Sequence, residues 1–154
     1  MSAEMPRIRS AEAFREVFGV SRETADRLAV YEGLLRTWQR TINLVSPATL
    51  EDAWHRHFAD SAQLLNFSPL DAKNWLDLGS GAGFPGLVLA ILLAERAPEA
   101  HMTLVESDSR KAAFLREVAR KTGVAVEIRV ERSENTATQA KSQIRDAITA
   151  RALA

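Results

Sequence analysis

Between Asp77 and Gly86 the chain reads Asp-Leu-Gly-Ser-Gly-Ala-Gly-Phe-Pro-Gly, four glycines within ten residues. Glycine is needed where the backbone turns with positive φ and where a ligand lies against bare main chain. The segment sits between a short apolar run, Trp75–Leu78, and a long one, Leu87–Glu95, that reads as a helix. A helix starting there points its positive end at whatever the loop holds. The spacing admits two readings. Gly81, Gly83 and Gly86 fit G-x-G-x-x-G, a dinucleotide fingerprint, whereas Gly79, Gly81 and Gly83 fit G-x-G-x-G behind an acidic strand end. Glu106, at the end of the next apolar run, serves either reading by accepting hydrogen bonds from both hydroxyls of a ribose.

Asp77 separates the two. A carboxylate two residues before the first glycine is unfavourable beside a pyrophosphate and acceptable beside a cation. S-adenosylmethionine carries a sulfonium and an amino group and no phosphate, so the second reading, the one methyltransferases use, is favoured. Asp77 then acts on the ligand directly, acts through water, or ties down the loop. Asp77, Gly79, Ser80, Gly81, Gly83 and Glu106 are the cofactor candidates. Two rivals stay open on the residues: an NAD-dependent oxidoreductase, which needs room and positive charge for a pyrophosphate near Gly81–Gly86, and a non-catalytic module that binds cofactor or RNA and transfers nothing.

The elements that must position this loop follow from periodicity and breakers. Ser10–Phe18 reads as a short helix with Phe14, Val17 and Phe18 on one face, stopped by Gly19. Ser21 caps a second helix whose stripe is Leu28, Tyr31, Leu35, Trp38 and Ile42. A third helix is expected over 49–65, with Leu50, Trp54, Phe58 and Leu65 inward and Pro69 ending the region. Trp38 and Trp54 are read as core. From Trp75 onward the pattern becomes βαβαβαβ: strands at 75–78, 102–105, within 124–130 and at 147–150, with helices at 87–95, 109–122 and a weaker one at 134–143. The expected fold is therefore α/β, a Rossmann-like sheet with its first four parallel strands, behind an N-terminal helical layer. The division is 1–70 for the helical extension and 71–154 for the cofactor-binding domain. Strand four adds beside strand one, and the chain stops soon after at Ala154, so a covering C-terminal part or a partner is expected at that edge.

Composition narrows the classes. The chain has 154 residues, no cysteine, three histidines and a formal net charge of zero. That excludes a disulfide framework and thiolate metal sites, and without an HExxH cluster no metal is expected. The longest apolar run is far short of a membrane span, and charges interrupt the N-terminal segment where a signal peptide would be apolar, so a cytoplasmic protein with no membrane partner is expected. The zero net charge supplies no global pull toward nucleic acid, which leaves local patches. Arg110, Lys111, Arg116, Arg120 and Lys121 cluster around one helix without sharing a face, and Arg7, Arg9 and Arg15 lie near the N-terminus. A solvated helix face accounts for them as readily as RNA phosphates do.

Six segments, in order, resemble the bacterial small-subunit ribosomal RNA guanine-N7 methyltransferases of the RsmG/GidB type. They are Trp38–Leu44, Arg56–Ser61 (RHFADS), Leu76–Gly86 (LDLGSGAGFPG), Glu106–Leu115 (ESDSRKAAFL), Arg132–Glu134 and Asp146–Ala152. The resemblance spans about residues 25–154, and the glycine string followed by ESDSRK is its specific part. It implies S-adenosyl-L-methionine as cofactor and 16S ribosomal RNA, free or in the small ribosomal subunit, as partner. It implies that Gly79 and Phe84 lie against the donor, that Glu106 holds the ribose, and that Ser133 and Glu134 lie near the adenine. Arg151 would approach the donor or the guanine, and His57 and Asp60 the pocket mouth as catalytic candidates, although His57 on its own reads as a packing residue. Arg110 and Lys111 keep the family's tandem basic pair and are the RNA-contact candidates. Members commonly have a longer C-terminus, so a C-terminally truncated chain is expected, monomeric when complete. The implied reaction gives 7-methylguanosine and needs no general base, because guanine N7 already has a lone pair; the work lies in alignment.

Overall fold

The computed structural model describes residues 5–68, 71–132, 134 and 147–150. Four parallel strands, β1 (Asn74–Leu78), β2 (His101–Glu106), β3 (Glu127–Val130) and β4 (Ala147–Ala150), form one sheet in the order β3-β2-β1-β4. This is the expected doubly wound arrangement, with the order of addition reversing between β1 and β4. Alternation sorts the side chains by face. Leu76, Leu78 and Val105 form a small apolar patch on one face, while Trp75, Met102 and Leu104 join the main core.

The main core is closed by helices α1 (Ala11–Phe18), α2 (Arg22–Gln39), α5 (Gly86–Arg96) and α6 (Ser109–Thr122). Helix α5 is apolar around most of its surface and is buried from Gly86 through Leu93, as a helix between a sheet and a second layer must be. Helix α2 crosses it and also packs on α6. Local signals set these limits. Ser10 and Ser21 accept the N–H of Ala13 and Thr24 as N-caps, and Gly19 and Gly123 end α1 and α6 in the left-handed conformation. Glu95 pins the layers together, accepting from the Ser21 N–H at 3.0 Å and the Thr24 hydroxyl at 2.6 Å.

Three details depart from the periodicity. Val17 is 41% exposed, so α1 buries Phe14 alone. Helix α2 ends at Gln39, before Ile42, because the Gln39 side chain clamps the following turn: its oxygen accepts from Leu44 and Val45 N–H and its amide donates to the Val45 carbonyl. The expected single helix over 49–65 is a broken series instead. It runs through α3 (Pro47–Leu50), a π-helical turn at Trp54–Ala59, α4 (Asp60–Ala62) and a 3-10 turn at Gln63–Phe67. Trp54 and Phe58 are nevertheless buried. π turns concentrate at functional sites, and this one carries His57 and delivers Asp60. The expected helix at 134–143 lies outside the described residues beyond Glu134.

Tyr31 joins the helical layer to the glycine loop. Its fully buried hydroxyl donates to the Ala82 carbonyl at 2.5 Å, and its ring stacks on Phe84 at 5.4 Å. Phe in place of Tyr31 keeps the stacking and leaves a buried carbonyl without its donor. Tyr31→Phe is therefore expected to lower the unfolding free energy by about 1–3 kcal/mol, measured by urea denaturation. Unchanged stability would show that the loop does not depend on this bond.

Candidate functional site

The loop after β1 is held at both ends. Ser80 N–H donates to the Val105 carbonyl at the end of β2, at 2.9 Å, and Gly83 N–H closes a turn on the Ser80 carbonyl at 2.7 Å. Gly79, Gly81 and Gly83 all have positive φ, at 69°, 54° and 96°. They serve different ends. A Cβ on Gly83 would collide with the Tyr31 hydroxyl and lie 2.9 Å from Leu87 Cβ, so this glycine lets the helical layer close on the loop. A Cβ on Gly81 would have one neighbour, the Gly79 carbonyl oxygen at 3.9 Å, so the backbone there faces open space. Bare main chain beside open space is what a nucleoside cradle requires.

Glu106 reaches this cradle from the end of β2. The residue is 7% exposed, and its carboxylate accepts the Gly81 N–H and the Asp108 N–H, each at 2.8 Å. One hydrogen bond per oxygen leaves each with further accepting capacity, the property needed to take two ribose hydroxyls. Asp108 in turn caps α6, accepting the N–H groups of Arg110 and Lys111, and its carboxyl is held below the usual range by those bonds. Arg110 and Lys111 thus stand at the start of α6, one turn from Glu106, with Arg110 well exposed.

Asp77 lies beneath the loop. It is buried, and both carboxylate oxygens are engaged within the protein. Ser80 donates to Oδ2 at 2.7 Å, Thr149 of β4 donates to Oδ1 at 2.8 Å, and the Gly86 N–H at the start of α5 also bonds it. Of the roles open on the sequence, the geometry is that of the tie. It also accounts for the last glycine of the string. A Cβ on Gly86 would strike the Asp77 carboxylate. The third glycine of the dinucleotide spacing therefore makes room for the protein's own anion, and a pyrophosphate at the α5 N-terminus would face it.

The remaining candidates are distributed as follows. The Phe84 ring is buried between Tyr31 and His57, with the His57 ring stacked on it at 4.8 Å, and stands edge-on to Phe58. His57 is 7% exposed and its Nε2 lies 2.9 Å from Thr49 Oγ1, a packed position within the helical layer. Asp60 is exposed and lines the clefts on the other side of the loop. Glu134 is exposed, with Arg132 at 3.6 Å. Ser133 and Arg151 lie outside the described residues. Sequence reasoning did not single out Tyr31 or Thr149 as site residues. Thr149 had a signal, a hydroxyl residue inside an otherwise apolar strand, and Tyr31 had none beyond its place in an apolar stripe.

Burial raises the Asp77 pKa from 3.8 to about 6, against the lowering effect of the Ser80, Thr149 and Gly86 bonds, with the Glu106 charge adding to the rise. A carboxyl with a raised folded-state pKa favours the fold below its unfolded pKa and loses that contribution as pH climbs through the folded value. A rise from 3.8 to about 6 corresponds to about 3 kcal/mol. Asp77→Asn removes this dependence. Its unfolding free energy, relative to the parent chain, is expected to improve by about 3 kcal/mol between pH 2 and pH 7.5. A constant difference across that window, followed by denaturant unfolding, would contradict the assignment.

Comparison with known proteins gives a consistent result. Residues 24–154 match the GidB family, described as rRNA small subunit methyltransferase G. The chain is 58% identical over 144 residues to the ribosomal RNA small subunit methyltransferase G of Rhodospirillum centenum, covering 94% of this chain and 62% of that protein. It is 53% identical over 149 residues to the protein of the same name from Parvibaculum lavamentivorans, covering 97% of this chain and 65% of the relative. A third such relative, from Paramagnetospirillum magneticum, is 54% identical over 136 residues, with 88% and 62% covered. The chain thus spans a little under two thirds of the length of these curated relatives. On the family match and these identities, the chain belongs to the rRNA small subunit methyltransferase G family.

Proposed function

We propose that this chain forms the S-adenosylmethionine-binding part of an enzyme that methylates N7 of a guanine in 16S ribosomal RNA, free or within the small subunit. The observation that carries the reading is the pairing of an open glycine backbone at Gly81 with Glu106, whose carboxylate is already fixed on Gly81 N–H at 2.8 Å. The fit is chemical as well as spatial. The cradle presents bare backbone and two carboxylates nearby, one of them already engaged with the α5 N-terminus, and so suits a cationic nucleoside better than a phosphorylated one.

When bound, the cofactor supplies an electrophilic methyl group on sulfur. The chain's own residues do the rest by placement. Gly79 and Gly81 allow close approach to the main chain. Glu106 accepts the ribose hydroxyls and sets the rotation of the nucleoside. Asp77 keeps the loop registered on β4 and α5, so the cradle keeps its shape. Guanine N7 is nucleophilic in the neutral base, so no side chain has to remove a proton, and alignment of N7 with the methyl carbon and sulfur is the main requirement. The base must be presented from a loop or flipped from its stack. Ser133 and Glu134 toward the adenine, Arg151 toward the guanine O6 or the donor, and Arg110 and Lys111 toward RNA phosphates belong to the same proposal, as does a cytoplasmic location. No described helix is long and apolar enough to cross a membrane.

Glu106→Ala is expected to weaken S-adenosylmethionine binding by about tenfold or more, the scale of losing hydrogen bonds to a charged acceptor, read by isothermal titration calorimetry. Mass spectrometry of 16S RNA incubated with labelled donor is expected to show the label on guanine N7. Label on another base, or undiminished donor affinity in Glu106→Ala, would refute the reading.

A further inference from the structure

The Glu106 carboxylate is held between two pieces of chain. Oε1 accepts the Gly81 N–H of the glycine loop, and Oε2 accepts the Asp108 N–H of the turn before α6, each at 2.8 Å. A carboxylate bonded through one oxygen can still swing about that bond. Bonded through both, from different elements, it keeps one plane. The loop side of this clasp has its own supports, Ser80 N–H on the Val105 carbonyl at 2.9 Å and the Tyr31 hydroxyl on the Ala82 carbonyl at 2.5 Å. The α6 side stands in the open. Ser107 and Ser109, on either side of Asp108, are both exposed. Burial does not fix that turn, so hydrogen bonds must.

The Asp108 side chain supplies them. The residue is extended, with φ −85° and ψ 116°, and its Oδ1 accepts the N–H of Arg110 at 2.8 Å and of Lys111 at 3.3 Å. First-turn amides have no acceptor within the helix, so this oxygen decides where α6 begins. The Asp108 carbonyl accepts the Ala112 N–H at 2.9 Å. Side chain and carbonyl are thus both bound to the first turn, and the N–H of the same residue is left directed at Glu106. The two clasps run in series. Glu106 takes the amide two residues ahead of it, and Asp108 does the same. Ala112 and Leu115, buried on the inner face of α6, keep the helix on the sheet.

We infer that Asp108 is a positioning residue for the methyl donor: by capping α6 it holds its own N–H on Glu106 Oε2, and so fixes the carboxylate that takes the ribose. It acts through Glu106 and does not touch the ligand. The inference rests on the reading of the cradle as the donor site, and adds a residue that sets its geometry. Without the cap the start of α6 frays into several states, and a ligand must restore one of them. Affinity then falls by the fraction of chains in the competent state. A carboxylate that attracted the donor's positive charge directly would depend on its charge; a cap depends on an oxygen in the right place.

The test is calorimetry of the full chain with S-adenosylhomocysteine. Asp108→Ala is expected to weaken binding by roughly two- to thirtyfold, the range to which a lost N-cap converts. Asp108→Asn removes the charge and keeps the cap, so its affinity is expected within about twofold of the parent. In a Glu106→Ala background, Asp108→Ala is expected to change affinity by less than about twofold, because nothing is left to position. A readout without ligand accompanies these. Exchange of the Gly81 amide, followed by NMR, should quicken in Asp108→Ala and return to the parent rate in Asp108→Asn, while the Leu76 amide of β1 reports the fold as a whole. An Asn variant as weak as the Ala variant, an Ala effect undiminished when Glu106 is absent, or exchange that rises equally at Gly81 and Leu76 overturns the assignment. If the parent binds the ligand and Asp108→Ala binds it equally well, the positioning role fails and the donor site stands. If the parent does not bind it, the donor reading fails, and Gly81 exchange still decides whether Asp108 positions Glu106.

Discussion

A buried carboxylate organises this fold. Asp77 sits at the end of the first strand, where three separate pieces of chain must meet: the glycine loop through Ser80, the fourth strand through Thr149, and the start of α5 through Gly86. Burial of an ionised group is costly unless donors surround it, and here one hydroxyl from each flank and a helix N-terminal amide supply them. The arrangement costs stability at neutral pH, as the raised pKa states. In return it gives one geometry for the loop, since no neutral side chain of that size accepts from three donors as a carboxylate does. The glycine at position 86 exists to admit it.

Tyr31 completes the support from the opposite direction. Its hydroxyl takes the space a Cβ on Gly83 would fill, and its ring joins Phe58, Phe84 and Phe114 in one aromatic cluster. The N-terminal helices are thus part of the loop's foundation, and their apolar residues share a single core with α5 and α6. The loop is fixed from beneath by a carboxylate and from the side by a phenol, and the face over Gly81 stays open.

The strands, their order and the two helices between them were legible because each carries its own local signal: an apolar run for the strands and α5, and a glycine stop for α6. The cradle was legible for the same reason, since glycines in that spacing have few other uses. Other features depend on contacts between distant residues. Nothing in the string WHRHFA distinguishes a π turn from an α-helix, and the apolar spacing of Leu50, Trp54, Phe58 and Leu65 suited a continuous helix while the backbone broke it. The Phe84 ring is sandwiched between Tyr31 and His57, partners 53 and 27 residues away in sequence, a packing that no local pattern announces. Val17 is an apolar residue counted into a stripe that α1 does not bury. The alternatives for Asp77 could be narrowed only once Thr149 and Gly86 were seen beside it.

The candidate cradle lies at the carboxyl edge of the sheet. Toward β2 it offers open backbone and an anchored acid, suited to a ribose. The most direct measurement of the account is a crystal structure of the chain with S-adenosylhomocysteine. The nucleoside should lie over Gly79–Gly81 with both ribose hydroxyls on the Glu106 carboxylate and Asp77 still bonded to Ser80 and Thr149. A ligand seated elsewhere, or a Glu106 side chain swung out of reach of it, would contradict the central claim.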